Sequence, residues 1–277
     1  MKKIGFIDYY LDEWHANNYP QKIEEYSNGE MKVCYAYGDI DVPGKMTNRE
    51  WADKMGVELC SSIEEVCEKS DYLVVLSPDN PEQHVRLCEL PFKTGKRTYV
   101  DKTFAYTKAE AIKLFEMAEA GNTPMYSTSA LRFADQLSQI DGKRINYLAT
   151  MGGGPFDIYL IHQLEPIVAL MGGDVRRIMY VGTQSVPSIL IEFNDGRMAR
   201  TLQMPFMQSF EYAACYEDGS GIELNDATNF FDNFIKALID FFRTGDVKAP
   251  KEQTIALISI IEASHKAQKN PGVWFDI

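Results

Sequence analysis

Lys102 stands out among the residues that could do chemistry. It lies in the apolar run TYVDKTF (98–104), at or near the exit of a strand. An ammonium group there could donate a proton to a substrate oxygen or fix a carboxylate or hydroxyl. The plainer alternative is an edge lysine that reaches solvent or pairs with Asp101. His162 lies in the helical run FDIYLIHQLEPIVALMG. At about 100° per residue it shares a face with Glu165 and Ile158, whereas Asp157 points roughly 140° away. A lone helical histidine is more often structural than a base. The other histidines are His15 in the first turn, His84, for which a surface place is expected, and His265 on the final helix. The third constellation is the stretch Ile4–Pro20, which leaves a short apolar strand and runs at once into Asp8, Tyr9, Tyr10, Asp12 and Glu13. It has no glycine after Gly5.

The elements that must hold these residues alternate between two periods. Lys3 to Asp8, 31–37, the continuous apolar run DYLVVLS (71–77) and 98–104 read as strands, with 124–133 closing the series. Glu13 to Tyr26, Glu50 to Met55, IEEVCEK, Pro81 to Leu90 and KAEAIKLFEMAEAG read as helices. Ser62 with Glu65 has the capping-box spacing. Strands alternating with helices predict a doubly wound parallel sheet. Ligands of such a sheet bind beyond the carboxyl ends of its strands. That rule selects Asp8 to Tyr10, Gly38 and Asp39, Ser77 and Pro78, Asp101 to Thr103, and Ser127 to Arg132. After about residue 130 the pattern changes to one strand, one helix (Phe156 to Met171), a run of strands with a hairpin at Asn194-Asp195-Gly196, and two final helices. The expected fold class is α/β, with the parallel sheet in 1–128 and an α+β domain on a largely antiparallel sheet in 129–277.

Composition narrows the function classes. The 277 residues carry a formal net charge of -12, which disfavours a nucleic-acid partner. No apolar run is long enough to span a membrane, and the start MKKIGFID does not read as a signal peptide. Five cysteines without a C-x-x-C pair are expected to be reduced and buried in a cytoplasmic protein, with zinc ligation as the alternative. No metal site is expected.

The stretches GVELCSSIEEV, DYLVVLSP and GKRTYVDKTFAYTKAEAIKLFEMAEAGNTPMYSTSALRF resemble the Gfo/Idh/MocA family of NAD(P)-dependent oxidoreductases. Asp101-Lys102-Thr103 falls where that family carries Glu-Lys-Pro. GGGPFDIYLIHQLEPIVALMG resembles its glycine-rich entry to the substrate-domain helix, with His162 and Glu165 matching His-x-x-Asp. The resemblance implies a Rossmann-like domain joined to a substrate and oligomerisation domain. It also implies hydride transfer between NAD or NADP and a sugar, polyol or similar substrate, and a homodimer or higher homo-oligomer. It implies Lys102 and His162 as catalytic residues, and Arg132, Asp157 and Glu165 as substrate contacts. Asp8, Tyr9, Tyr10, Asp39, Ser77, Pro78 and Asp101 would line the cofactor. Three features depart from the family. The Gly-x-Gly-x-x-Gly positions fall on Asp8, Tyr10 and Glu13, the aspartate four residues before the histidine is Ile158, and Glu-Lys-Pro has become Asp-Lys-Thr. The departures support a second reading, a protein that binds or senses a small metabolite on the same scaffold.

Overall fold

The structure, a computed structural model, describes residues 1–140 and 142–277. The chain forms two compact units. Unit 1 comprises Met1–Ala105, Ala109–Ser127 and Phe234–Pro250, and unit 2 comprises Tyr106–Lys108, Thr128–Asn233 and Lys251–Ile277.

Unit 1 is built on strands β1 (Lys2–Asp8), β2 (Met31–Gly38), β3 (Glu58–Leu59), β4 (Tyr72–Val75), β5 (Thr98–Val100) and β6 (Met125–Tyr126), in the order β3-β2-β1-β4-β5-β6. All the pairings are parallel. Helices α1 (Trp14–Tyr26), α2 (Asn48–Met55), α3 (Ile63–Lys69), α4 (His84–Leu87) and most of α5 (Lys108–Ala120) connect them. The order reverses between β1 and β4, so the turn after β1 stands at the switch point where such sheets take ligands. The central strands read as unbroken apolar runs because both faces are covered. Leu73, Val74 and Val75 have no exposed surface, nor do Ile4, Phe6 and Ile7.

The rings at the start of 234–250 complete this core. Phe234 packs 5.5 Å from Tyr19 and 5.3 Å from Tyr99, Phe241 meets Tyr126 edge-on, and Phe242 stacks on Tyr72 at 4.9 Å. Burying each phenyl ring contributes roughly 1.5–3 kcal/mol. Arg97 donates to the Phe242 carbonyl at 2.6 Å, satisfying an acceptor that the end of the helix leaves without an intrahelical partner.

Unit 2 carries a seven-stranded sheet of β7 (Ile145–Gly152), β8 (Val175–Tyr180), β9 (Ser188–Phe193), β10 (Met198–Gln203), β11 (Phe210–Tyr216), β12 (Gly221–Leu224) and β13 (Trp274–Asp276). The order is β12-β11-β7-β10-β9-β8-β13. Every neighbouring pair is antiparallel except β7 with β10. Helices α6 (Phe156–Met171) and α8 (Lys251–Gln268) pack in this unit, while α7 (Phe230–Thr244) passes from unit 2 into unit 1. The fold class is as expected, including the largely antiparallel second sheet.

Several local expectations are corrected. β5 ends at Val100, so Lys102 lies two residues beyond the strand. The segment 81–90 breaks into a 3-10 turn and a four-residue helix. Ser62 does cap α3 through Glu65 N–H, but the Glu65 carboxylate accepts from Ser61, so the reciprocal half of the box is displaced by one residue. The complete box is Thr47 with Glu50, at α2. Cys60, Cys67 and Cys88 are buried, whereas Cys34 is half-buried and Cys215 is exposed. Ile189, Ile191 and Phe193 are buried inside unit 2, and the alternating Leu190 and Glu192 are half-buried on the opposite face. β13 went unseen because three residues after Pro271-Gly272 carry too little pattern.

Candidate functional site

Glu13 is the residue on which the first turn is built. It has extended dihedrals (φ -133°, ψ 169°) and caps α1 with its own carboxylate, which accepts from His15 N–H at 2.6 Å and from Ala16 N–H. Caps are ordinarily the short side chains Ser, Thr, Asp and Asn. Here the longer side chain brings a carboxylate to the positive end of a thirteen-residue helix. The rest of the turn is pinned. Leu11 is fully buried and its N–H donates to Asn48 Oδ1 at 2.9 Å. The Asp12 carboxylate accepts from Asn17 at 3.0 Å and from Met46 N–H at 2.9 Å. The Tyr10 hydroxyl reaches Asp79 at 3.3 Å, and Lys45 lies over the Tyr10 ring.

Beside Glu13 lies a buried charged cluster. His15 Nδ1 stands 2.7 Å from Asp101 Oδ2, a charge contact in which the ring N–H is poorly aimed for a hydrogen bond. Asp101 is fully buried. Its Oδ1 accepts from Lys102 N–H at 2.9 Å, with the hydroxyls of Tyr99 and Tyr19 at 3.3 and 3.5 Å. Burial alone would raise the Asp101 pKa. The charge and contact of His15, with the charge and N–H of Lys102, instead hold it below the usual carboxylate range. Glu13 is pushed up to about 7, by burial first and by the Asp101 charge, against the pull of His15 and the two N–H donors. Asp8 is raised well above its ordinary value by burial and then by Glu13. Its Oδ1 accepts from Tyr9 N–H at 2.7 Å, and its Oδ2 has no hydrogen-bond partner.

The other expected residues of unit 1 are placed as follows. Lys102 follows Asp101 and is 9% exposed, so it does not reach freely into solvent. Ser77 is buried at φ 87°, a conformation uncommon for a residue with a side chain, and Pro78 follows it. Asp39 pairs with Arg86 at 2.7 Å and accepts from the Tyr37 hydroxyl. His84, expected near the surface, is fully buried with its two ring nitrogens 2.9 and 2.7 Å from the carbonyls of Phe104 and Leu76. Those contacts tie the loops after β4 and β5 together.

In unit 2, His162 and Glu165 share a helix face and meet the same residue. His162 Nδ1 is 2.7 Å from Ser129 Oγ, and Glu165 accepts from Ser129 N–H and Thr128 Oγ1, each at 2.9 Å. Arg132 Nε donates to Glu165 at 2.6 Å, and its Nη2 donates to Gln253 at 2.8 Å. Arg132 and Glu165 are thus engaged in holding the 128–132 turn. Asp157 stands apart, 75% exposed and 3.7 Å from His265.

The rings of Tyr159 and Phe210 flank His162 at 5.2 and 5.9 Å. Both also wall a hollow of about 260 Å³ lined by Gly153, Gly154, Pro205 and Met207. The glycine run makes that hollow. A methyl group on Gly152 would strike the Phe210 ring and one on Gly154 the Tyr159 ring, with Gly154 at φ +82°. Sequence reasoning missed Gln163 and Gln203. Gln163 is buried on α6 and donates to Gln203, which binds the Gly153 and Gly154 carbonyls. A polar residue on the apolar face of the helical run was the available signal.

No protein-family model matches the chain, and no curated protein sequence matches it. Solved structures do. GenD2 from gentamicin A biosynthesis, in complex with NAD, superposes at a TM-score of 0.80 with 10% identity over 100% of this chain and 96% of that one. A myo-inositol dehydrogenase from Corynebacterium glutamicum gives 0.78 at 13% identity over 100% and 99%. An oxidoreductase from Agrobacterium radiobacter with NAD+, L-tartaric acid and magnesium gives 0.75 at 12% over 99% and 98%. At these identities the likeness establishes the fold, a Rossmann-like unit with a mixed-sheet second unit.

Sheets with this strand order commonly hold a dinucleotide at the first turn, and this first turn does not fit one in the usual pose. The pose needs free N–H groups at the start of α1 and a backbone that a diphosphate can approach. Here Glu13 accepts from the N–H groups of His15 and Ala16, and side chains fill the turn.

Two measurements check this account. Glu13 has a folded value of about 7 against an ordinary 4.5, so its contribution to stability is complete below about pH 4.5 and lost as pH rises through about 7. Asp8 acts in the same direction. Asp101 acts in reverse, its contribution being present above 3.8 and lost as pH falls through its lowered value. Urea midpoints should therefore fall from about pH 5 to 8, and the fall should shrink in Glu13→Ser. In unit 2, Glu165→Ala leaves Arg132 without its buried partner and should cost about 3–5 kcal/mol by denaturant titration. A loss below about 1 kcal/mol would show the pair to be incidental.

Proposed function

We propose that this chain is a dehydrogenase-type oxidoreductase acting on a small hydroxylated substrate such as a sugar or polyol. The observation that carries the reading is Lys102. It sits just beyond β5 on the carboxyl side of a parallel sheet, is largely removed from solvent, and follows a carboxylate that is itself held in place by His15. A cation so placed can bind or protonate a substrate oxygen. The class is supported by the myo-inositol dehydrogenase and the oxidoreductase that share the fold. In unit 2, His162 beside the glycine-lined hollow is the second acid/base or substrate ligand, with Ser129 orienting its ring. Glu165 and Arg132 act through the turn they hold. The redox partner is NAD or NADP, carried with its diphosphate off the α1 terminus. Asp39, Ser77 and Pro78 then remain as contacts at the other strand ends.

One observation favours the second reading, a metabolite-binding protein on the same scaffold: the Glu13 cap. Turnover separates the two. Reduction of NAD+ and NADP+ is followed at 340 nm (about) against a panel of inositols, hexoses and sugar acids. Lys102→Ala and His162→Ala, made separately, should each lower kcat/KM by about 10²–10⁴. Absence of hydride transfer by the wild-type protein across the panel would favour the binding protein.

We also propose a homodimer through the open face of the unit 2 sheet. That face carries Tyr147, Ala149, Met151 and Leu202 around a shallow hollow of about 400 Å³. Light scattering should give about twice the 31.5 kDa chain mass, and a monomer would refute the dimer.

A further inference from the structure

Glu13 does for the start of α1 what a bound phosphate does in dinucleotide-binding sheets. Its carboxyl group is a planar acceptor of two backbone N–H groups, and it is 4% exposed. It is also held there by more than these two N–H groups. His15 Nδ1 lies 3.5 Å from Glu13 Oε2 while contacting Asp101, and the segment before Glu13 is fixed through Leu11 and Asp12 to residues 46–48. An incoming diphosphate would have to displace a side chain that closes the turn and enter beside Asp8 and Asp101. A second observation shows what the turn still lacks. Asp8 Oδ2, on a side chain 1% exposed at the end of β1, finds no hydrogen-bond partner.

We infer that Glu13 is this chain's own resident occupant of the phosphate position. Unit 1 therefore takes its ligand with no phosphate on α1, and the unsatisfied group it offers, Asp8, suits a hydroxyl or amine. Glu13 is thus a specificity-determining residue that selects against ADP, pyrophosphate and dinucleotides held in the usual pose. This rests on the fold's dinucleotide pose and deepens the oxidoreductase reading, but it does not need turnover to be tested.

The probes are inorganic pyrophosphate, ADP and NADH, measured by isothermal titration calorimetry on the full chain. Glu13→Ser keeps a residue that caps helices well while vacating the carboxylate position. It should bind pyrophosphate and ADP about 100-fold more tightly than wild type, the scale of one regained charge-assisted hydrogen bond, since the short cap still engages one of the two N–H groups. Glu13→Asn, a second short cap, should show the same gain. Glu13→Gln fills the position without the charge and should show little. The inference falls if wild type binds pyrophosphate as tightly as the serine and asparagine variants. It falls equally if those variants, folded by circular dichroism, gain no affinity, or if glutamine gains as much as serine. The oxidoreductase reading fails by a different result, absence of hydride transfer in wild type, so the two outcomes are separable.

Discussion

The buried charge of Asp101 is the constraint around which unit 1 is arranged. An isolated carboxylate cannot be fully buried at acceptable cost; it needs paired charge and directed donors. Asp101 has both, from His15, Lys102 N–H and two tyrosine hydroxyls, and it remains ionised. Meeting that need draws the start of α1 toward the end of β5. It fixes the ring of His15, and it explains why the tyrosines at 19 and 99 both point inward against Phe234. The aromatic layer and the polar cluster are two parts of one packing solution, since each tyrosine gives its ring to the core and its hydroxyl to the carboxylate.

Unit 2 solves a different problem with similar means. The 128–132 turn carries backbone and side-chain donors that would be left without partners in the interior, and Glu165 gathers them. Arg132 balances its charge, and Gln253 takes up the far end of the guanidinium. Because Ser129 gives its N–H to Glu165 and its hydroxyl oxygen contacts His162 Nδ1, the histidine inherits the rigidity of that network. The glycine run before α6 sets the width of the neighbouring hollow by letting two aromatic rings approach the backbone.

Much of this was legible in the sequence, and the limits have physical reasons. The parallel sheet showed in apolar runs such as 71–77, because burial on both faces erases alternation. The shared face of His162 and Glu165 followed from helical geometry alone. The ends of elements were harder. Nothing in TYVDKTF marks where hydrogen bonding to β4 stops, so Lys102 was placed in a strand it has already left. His84 looked like a surface residue because its two partners are backbone carbonyls far along the chain, and sequence does not show such acceptors. The first turn could be seen to lack glycines. That its glutamate turns back onto the helix start depends on dihedrals at one residue and on the pinning of Leu11 and Asp12 by residues more than thirty positions away.

The tether on the Glu13 carboxylate has a consequence for competition. A group attached to the chain meets its binding position at an effective concentration of millimolar or more, whatever the surroundings contain. A free nucleotide must compete with that local supply and pay the entropy of its own immobilisation. Occupancy at the head of α1 is therefore decoupled from the nucleotide pool. The head of α1 in this chain is a position whose state is set by proton activity and by the fold itself.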